Sequence, residues 1–402
     1  MPGVSIGEIK WAFELVLHTL KGWGRGKGVH CVSCFWSADK FILLNETVLQ
    51  AVSTQSASTP PLSRGGGIVS LRIGVVGLGH LGKFHAETFA RLCHKRGSQF
   101  TFSAACDASP AGESVAKSCK TPFFRDFREL EGKVDAVSIA VPTTFHREIG
   151  GYFLERGIPC LIEKPLAKTV AEAEELIAMA AHKSTVLQVG HVERFNPIVR
   201  AAAPYFGRPR FIEATRISPY PFRSTDISVT LDLMIHDIDL ALSVTQEDPV
   251  EIRAAGTPVF SATDDIANAR LEFQSAVANV SASRVSLKKE RKWRIFQEHG
   301  YLSLNLLENE GVFIEKSEAL KSGAIDPSKL SLASVGIAAL TFQLEKLVKR
   351  VTLKGDKMPA LEAELADFLS CVAEKRRPLV DGGEGLRALR VAERVMSSMK
   401  KL

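Results

Sequence analysis

The sequence lacks the features that mark a membrane protein or a nucleic-acid binder. No stretch approaches the roughly 18 uninterrupted apolar residues of a membrane-spanning helix. The first residues lack a secretory signal, because Glu8, Lys10 and Glu14 interrupt any apolar region. The formal net charge is only +6 over 402 residues, and basic and acidic side chains are intermixed, unlike a nucleic-acid footprint. We therefore expect a soluble protein with neither a membrane nor a nucleic-acid partner.

The sequence also lacks a disulfide framework and a recognisable metal motif. There are seven cysteines, an odd number, and several lie in apolar contexts, as Cys106 and Cys160 do. Buried, reduced thiols are typical of a cytoplasmic protein, and we expect that location here. Cys31 and Cys34 form a CxxC pair, but no second pair follows at zinc-binding spacing. We predict no metal site.

The chain length suits two domains preceded by a leader. With 402 residues, the chain is too long for one ordinary core. Within residues 1–70, the segment 9–20 has the pattern of a short amphipathic helix, and 53–67 is rich in Ser, Thr, Pro and Gly, as flexible linkers are. We expect this leader to be poorly ordered. It is either an appendage or the product of an upstream start codon, and the second explanation is preferred.

From residue 71 to residue 190, short apolar runs alternate with helical segments. Strands bounded by Gly or Pro and separated by helices predict an α/β fold with a parallel, doubly wound sheet, the Rossmann arrangement. The predicted strands are 73–76, 102–106, 136–141, 160–162 and 186–189, and the predicted helices are 80–96, 145–156 and 169–182.

The pattern changes in residues 191–402. Apolar and polar residues alternate over 267–273, as in a half-buried strand. With further strands at 277–282, 293–297, 301–306 and 312–315, this predicts an α+β domain with a large, open-faced, mostly antiparallel sheet. Helices follow at 361–373 and 385–399. One face of such a sheet needs cover from helices or from another subunit, so we assign this domain to substrate binding and oligomerisation.

A glycine-rich turn follows the first predicted strand. Gly77, Gly79 and Gly82 form G-x-G-x-x-G at the start of a helix. These glycines permit a tight turn, close approach of a pyrophosphate and close packing of helix on strand, and the helix N-terminus attracts phosphate. Asp107 ends the second strand, 30 residues after Gly77, where a carboxylate binds ribose hydroxyls and repels a 2′-phosphate. No arginine lies at 108–110, so NAD is predicted over NADP; the alternative for Asp107 is a turn or helix-cap residue.

Two further groups of residues indicate acid-base chemistry. Lys164 follows an apolar strand at the carboxyl edge of the sheet, where open α/β sheets bind ligands; the alternative is a surface charge. Asp232 and His236 are four residues apart, so on a helix they share a face. A carboxylate that orients an imidazole makes a general base. A helix-surface ion pair and a metal site are the competing interpretations, and the metal site lacks a second histidine pair.

Together these residues resemble the Gfo/Idh/MocA family, named for glucose-fructose oxidoreductase and inositol dehydrogenase. The resemblance runs from about Leu71 to the C-terminus and rests on the segments 77–82, 142–146 and 163–165 and on Asp232 with His236. It implies a Rossmann domain, an open sheet that commonly forms the subunit interface of a homodimer or homotetramer, and NAD(P)-dependent oxidation or reduction of a sugar or polyol hydroxyl. It also implies the cofactor-binding residues Gly77, Gly79, His80, Leu81, Gly82, Asp107, Pro142, Thr143, His146, Glu163 and Lys164.

The family resemblance also implies roles in catalysis. Lys164 corresponds to the family's catalytic lysine, and His236 to its base, oriented by Asp232. The implied reaction passes hydride from a carbinol carbon to NAD, while His236 takes the hydroxyl proton and Lys164 polarises the developing carbonyl. A ketosugar results.

The segments 190–197, 231–240 and 283–294 resemble a subgroup that includes UDP-N-acetylglucosamine 3-dehydrogenases, whose 3-keto product feeds lipid A or other surface glycans. Arg194, Asn196 and His236 are the predicted substrate-binding residues. Arg194, Arg284, Lys288 and Arg291 are candidates for contact with a pyrophosphate, or are solvating charges on the sheet. The alternatives are a dehydrogenase of an unlinked monosaccharide or inositol-type polyol, and a non-catalytic nucleotide-binding sensor or scaffold of the same fold.

Overall fold

A computed structural model describes residues 70–95, 99–221, 227–326 and 347–401. The predicted leader helix, the linker and the Cys31–Cys34 pair lie outside the described residues. Of the described cysteines, Cys93, Cys106, Cys160 and Cys371 are buried as free thiols and Cys119 is partly buried. Among the described residues, no helix is long and apolar enough to cross a membrane.

The first sheet has six parallel strands in the order β3-β2-β1-β4-β5-β6. Their apolar side chains are buried on both faces, as parallel sheets covered by helices require. The strands are β1 (Leu71–Val76), β2 (Phe100–Cys106), β3 (Phe123–Phe124), β4 (Ala136–Ile139), β5 (Cys160–Glu163) and β6 (Leu187–Gly190). The predicted doubly wound sheet is confirmed. The two-residue strand β3 was missed, because so short a strand has no periodicity.

Helices cover both faces of this sheet. The helices of this region are α1 (Gly82–Lys95), α2 (Glu113–Ser118), α3 (His146–Leu154) and α4 (Val170–His182). Helix α4 begins where the Thr169 side chain accepts a hydrogen bond from the Glu172 N–H, since a free N–H of the first turn needs an acceptor.

The second sheet has nine strands in the order β14-β13-β12-β11-β7-β10-β9-β8-β15. All pairs are antiparallel except β7 with β10 and β8 with β15, which confirms a mostly antiparallel sheet. The strands are β7 (Pro209–Ile217), β8 (Glu251–Thr257), β9 (Ile266–Glu272), β10 (Val277–Ser283), β11 (Glu290–Gln297), β12 (Gly300–Asn305), β13 (Glu310–Lys316), β14 (Val348–Lys354) and β15 (Met399–Lys401).

Helices cover one face of the second sheet and connect it to the first. Those from this part of the chain are α5 (Pro197–Ala202), α6 (Ile235–Thr245), α7 (Glu318–Lys321), α8 (Ala360–Glu374) and α9 (Gly382–Ser398). Helix α6 and the apolar side of α9 pack on the inner face of the sheet. Leu365, Phe368 and Leu369 of α8 instead pack with α1 on the Rossmann sheet. The chain therefore returns to its first sheet before it ends, and the C-terminal helices join the two cores.

Candidate active site

The glycine turn between β1 and α1 has the shape that a bound dinucleotide needs. Gly77 has a φ of +89°, and a Cβ there would lie 2.5 Å from the Ala140 carbonyl oxygen. A Cβ on Gly82 would lie 1.8 Å from the Gly77 carbonyl oxygen, whereas a Cβ on Gly79 would meet no atom within 4 Å. Packing therefore requires glycine at positions 77 and 82, whereas Gly79 leaves the backbone open to a ligand. The turn fits the pyrophosphate of NAD, as predicted for such turns.

Asp107 lies beside this turn at the end of β2. One carboxylate oxygen accepts a hydrogen bond from the Leu78 N–H (2.6 Å) and the other accepts one from the Ser109 N–H (2.7 Å). Asp107 therefore makes the turn contacts of its alternative interpretation while it borders the cofactor turn. Sequence reasoning missed Arg125, whose guanidinium donates to the Ala108 carbonyl oxygen (3.0 and 2.6 Å). An arginine thus stands near the predicted ribose position, although none follows Asp107 in sequence.

The position of the Glu163 side chain is fixed by a chain of contacts with residues of α1 and β4. His85 Nε2 lies 3.1 Å from Glu163 Oε1, and His85 Nδ1 lies 2.8 Å from Ser138 Oγ. Burial alone would raise the pKa of Glu163, but His85 and Lys164 outweigh it and hold that pKa below its ordinary value. His85 and Ser138 were not predicted, because only the tertiary fold brings them under the strand end.

His146 is buried and does not reach the cleft. Its two ring nitrogens lie 3.0 Å from the Pro165 carbonyl oxygen and 2.9 Å from the Val141 carbonyl oxygen. It therefore ties the loop after β4, which carries Pro142 and Thr143, to the loop after β5. The predicted cofactor role is at most one of support, through the position of these two loops.

The Lys164 side chain crosses from the Rossmann sheet to the second domain. Its Nζ donates to the Asp232 carbonyl oxygen (2.6 Å) and lies 3.8 Å from Asp232 Oδ1. The side chain is only 12% exposed. Burial lowers the pKa of Lys164, although Asp232 and Glu163 oppose that effect. Its buried position differs from that of an ordinary surface lysine.

His236 and Asp232 occupy neighbouring turns, but their relation differs from the prediction. Asp232 lies in a π-helical turn (Thr230–Met234), and His236 lies in α6, which follows it. The wider i→i+5 turn alters the spacing of an ordinary α-helix. The Asp232 carboxylate faces Lys164, and among the described residues the buried His236 Nδ1 has no hydrogen-bond partner. The Asp232 carboxylate thus pairs with the lysine, and it makes no ion pair with the His236 imidazole.

The electrostatic surroundings keep the His236 imidazole neutral. Burial, followed by the nearby cations Lys164 and Arg216, lowers the pKa of His236 well below its ordinary value. The imidazole is therefore unprotonated and free to accept a proton at neutral pH, while the same environment lowers its basicity.

One cleft brings these groups together. It has a volume of about 720 Å³, within the range of small-molecule sites. The residues that line it come from the glycine turn, the loops after β4 and β5, the π turn and α6, and the start of β11; they include His80, Leu81, Pro142, Thr143, Glu163, Lys164, Asp232, His236, Lys289 and Arg291. The catalytic candidates from both domains therefore share a space with the cofactor turn.

Two predicted substrate-binding residues do not line this cleft. Arg194 is largely buried, with 11% of its side chain exposed, and pairs with Asp239 (3.1 Å) and Glu384 (2.6 Å). Asn196 is buried at the start of α5, where its side chain accepts from the Ile198 N–H and donates to Glu193. Both side chains are committed to internal contacts, so we withdraw them as substrate ligands.

Two of the pyrophosphate candidates are also corrected. Arg284 is fully buried and pairs with Asp265 (2.7 Å), so its charge is neutralised in the protein interior. Lys288 is exposed and pairs with Glu290 (3.1 Å), away from the cleft. Arg291 does line the cleft.

A buried ionic network that contributes Arg216 and Glu193 to the wall of the cleft was also missed. Arg216 on β7 makes two hydrogen bonds to Asp237 of α6 (2.7 and 2.9 Å) and one to Glu193 (2.8 Å). Trp293 Nε1 donates to the same Asp237 (2.8 Å). The network ties α6, which carries His236, to the sheet. The alternation of apolar residues in β7 places Arg216 among buried positions, and this was the available signal.

Comparison with known proteins agrees with this architecture. Residues 71–191 match the oxidoreductase family GFO/IDH/MocA, NAD-binding Rossmann fold, and residues 201–303 match its C-terminal domain. The chain is 36% identical over 330 residues to UDP-N-acetylglucosamine 3-dehydrogenase of Acidithiobacillus ferrooxidans, covering 82% of this chain and 97% of that protein.

Solved structures show the same similarity. A structure of that enzyme from A. ferrooxidans has a TM-score of 0.71 at 34% identity and covers 82% of this chain and 98% of the other. Levoglucosan dehydrogenase in complex with NADH and levoglucosan has a TM-score of 0.68 at 18% identity, covering 82% and 97%, and shares the fold. The resemblance in the sequence is confirmed: this chain belongs to the Gfo/Idh/MocA family of NAD-binding oxidoreductases.

Proposed function

We propose that this protein oxidises the C3 hydroxyl of UDP-N-acetylglucosamine to a ketone, with NAD as the electron acceptor. The observation that carries the proposal is the convergence of Lys164 and His236 in the cleft that the glycine turn borders. The relative of 36% identity, which is named for this reaction and is covered almost from end to end, supports the choice of substrate.

The side chains divide the reaction between them. When bound, NAD supplies a two-electron acceptor for the hydride of the carbinol carbon. The neutral imidazole of His236 accepts the hydroxyl proton. The Lys164 ammonium, which donates to backbone oxygens of the π turn, stabilises negative charge on the substrate oxygen as the carbonyl forms. The products are a 3-keto sugar nucleotide, NADH and a proton.

The choice of NAD over NADP rests on Asp107. Its carboxylate borders the glycine turn and repels a 2′-phosphate, although Arg125 stands nearby. Of the cofactor-binding candidates, Gly77, Gly79 and Gly82 hold the pyrophosphate, while His80, Leu81, Pro142 and Thr143 contact the cofactor from the cleft side. The 3-keto product suits a following transamination, which would place the reaction in the synthesis of surface amino sugars.

The direct test is NADH formation from UDP-N-acetylglucosamine, followed at the nicotinamide absorbance band. Lys164→Ala should lower kcat about 10²- to 10⁴-fold, the usual effect of losing a positioned acid-base group. UDP-glucose, free N-acetylglucosamine and myo-inositol form the comparison panel. Turnover with myo-inositol alone would support the polyol alternative, and NAD binding without turnover of any sugar would support the sensor.

A further inference from the structure

Two basic residues lie where the chain enters β11: Lys289 immediately before the strand and Arg291 within it. Both line the cleft that holds Lys164 and His236. Their neighbours Lys288 and Lys292 pair instead with Glu290 at 3.1 and 3.3 Å, and neither lines the cleft. We call Lys289 and Arg291 the basic pair.

The carboxylates around the basic pair leave cationic donors unused. Arg291 stands opposite Arg216 across the β7–β11 ladder, a like-charge pairing that is unfavourable alone. Glu193 Oε1 offsets it, because it accepts from both guanidinium groups at 2.8 Å. Asp237 accepts hydrogen bonds from the other two guanidinium nitrogens of Arg216, Nε and Nη2. Glu193 and Asp237 thus balance the two arginines.

Both members of the basic pair keep free hydrogen-bond donors. Among the described residues, Arg291 donates from Nη1 alone, and its side chain is 42% exposed. The exposed Lys289 makes no ion pair with any described residue. A guanidinium with free donors binds phosphate in a two-point contact, and a neighbouring ammonium adds a point charge.

We infer that Lys289 and Arg291 bind the diphosphate that links uridine to the sugar, while Lys164 and His236 act on the sugar ring in the same cleft. This inference rests on the proposed function and adds a second anion site to it. The NAD pyrophosphate is served by the glycine turn and the N-terminus of α1, on the Rossmann side. The basic pair lies in the second domain, so the two anions have separate cationic partners.

The test compares Lys289→Ala, Arg291→Lys and their combination with Lys288→Ala, a matched control at an exposed lysine one residue away that does not line the cleft. KM and kcat for UDP-N-acetylglucosamine, the Kd of UDP by calorimetry and the Kd of NAD are measured for each. We expect KM and the Kd of UDP to rise about threefold for the exposed Lys289→Ala and about tenfold for Arg291→Lys. The kcat should change less than KM, as for a binding contact equal in ground and transition states. Lys288→Ala should match the wild type.

Unchanged KM and unchanged UDP affinity in both variants would overturn the inference, and so would a rise in the Kd of NAD in place of UDP. A wild-type protein that does not oxidise UDP-N-acetylglucosamine would refute the proposed function instead. In that case the UDP titration tests the inference about the basic pair by itself. Loss of UDP affinity in the variants would support that inference, and equal affinity would overturn it. Thermal melting confirms that each variant is folded.

Discussion

Burial acts on Lys164 and His236 in the same direction, because it disfavours a charge on either one. The pKa of His236 lies well below its ordinary value and that of Lys164 is also lowered. The base is therefore neutral, and the ammonium charged, over a pH range shifted toward acid relative to the free side chains.

This shift predicts the pH dependence of kcat/KM. As pH falls, activity should persist below about 6.5, the pKa of free imidazole, because His236 takes up its proton only at lower pH. On the alkaline side, activity should begin to fall at a pH lower than about 10.4, the pKa of a free lysine. The reason is that burial makes Lys164 lose its proton at a lower pH than a free lysine does. Arg at position 164 stays charged, so residual activity of Lys164→Arg should lack the alkaline limb. An acid limb at or above pH 6.5 would contradict the assignment of His236.

Asp107 and Arg125 predict the cofactor preference. Asp107→Ala should weaken NAD binding roughly 10- to 100-fold, since hydrogen bonds to charged groups contribute about 1.5–3 kcal/mol, and should relax discrimination against NADP. Adding Arg125→Ala should remove the NADP affinity that the single change gains. Titration of both cofactors measures this, and unchanged affinity of Asp107→Ala for both would refute the assignment.

At the scale of elements, the glycine turn gives a matched pair of substitutions. Gly82→Ala forces a methyl group against the Gly77 carbonyl oxygen, so we expect a loss of about 1–3 kcal/mol in the free energy of unfolding. Gly79→Ala meets open space and should change stability by less than about 0.5 kcal/mol, while it weakens NAD binding by blocking close approach. Chemical denaturation and NAD titration separate the two effects. Equal stability of the two variants would argue against this account of the turn.

The strands that sequence reasoning found and missed differ in where their charges lie. Strands β1, β2, β4 and β5 are apolar runs, so their burial is visible in the sequence. Strand β7 has an arginine, Arg216, at a buried position, and its neutralising partners lie 21 and 23 residues away. Strand β14 carries lysines and arginines at exposed positions. In both strands, charged residues interrupt the apolar positions, so neither strand stands out as an apolar run in the sequence.

The site shows the same division. The glycine turn, Lys164 and His236 follow local patterns and were predicted. The contact of Asp232 with Lys164 depends on a π turn, and the withdrawal of Arg194 and Asn196 depends on burial that only the assembled fold reveals. Arg194 and Arg284 lie in sequence segments next to the predicted site, but their side chains do not line the cleft.

At the scale of the whole molecule, no helix of the described residues packs on the outer face of the second sheet. Phe211, Phe296 and Tyr301 form an aromatic cluster on it, with ring centroids 6.1 and 4.9 Å apart. We expect this face to form the interface of a homo-oligomer, because a cluster of half-buried aromatic side chains on an otherwise polar sheet face is suited to burial against a second copy. Phe296→Arg should therefore lower the mass measured by light scattering while the fold and the NAD affinity persist. An unchanged mass would place the interface elsewhere, and a monomeric wild-type protein would remove the prediction.

The most direct test of the account is a crystal structure of the protein with NAD and UDP-N-acetylglucosamine bound together. The account predicts that Lys164 Nζ and a ring nitrogen of His236 both lie within hydrogen-bond distance, about 2.6–3.2 Å, of the same sugar C3 oxygen. A complex in which only one of them reaches that oxygen, or in which the sugar ring lies away from both, would contradict it.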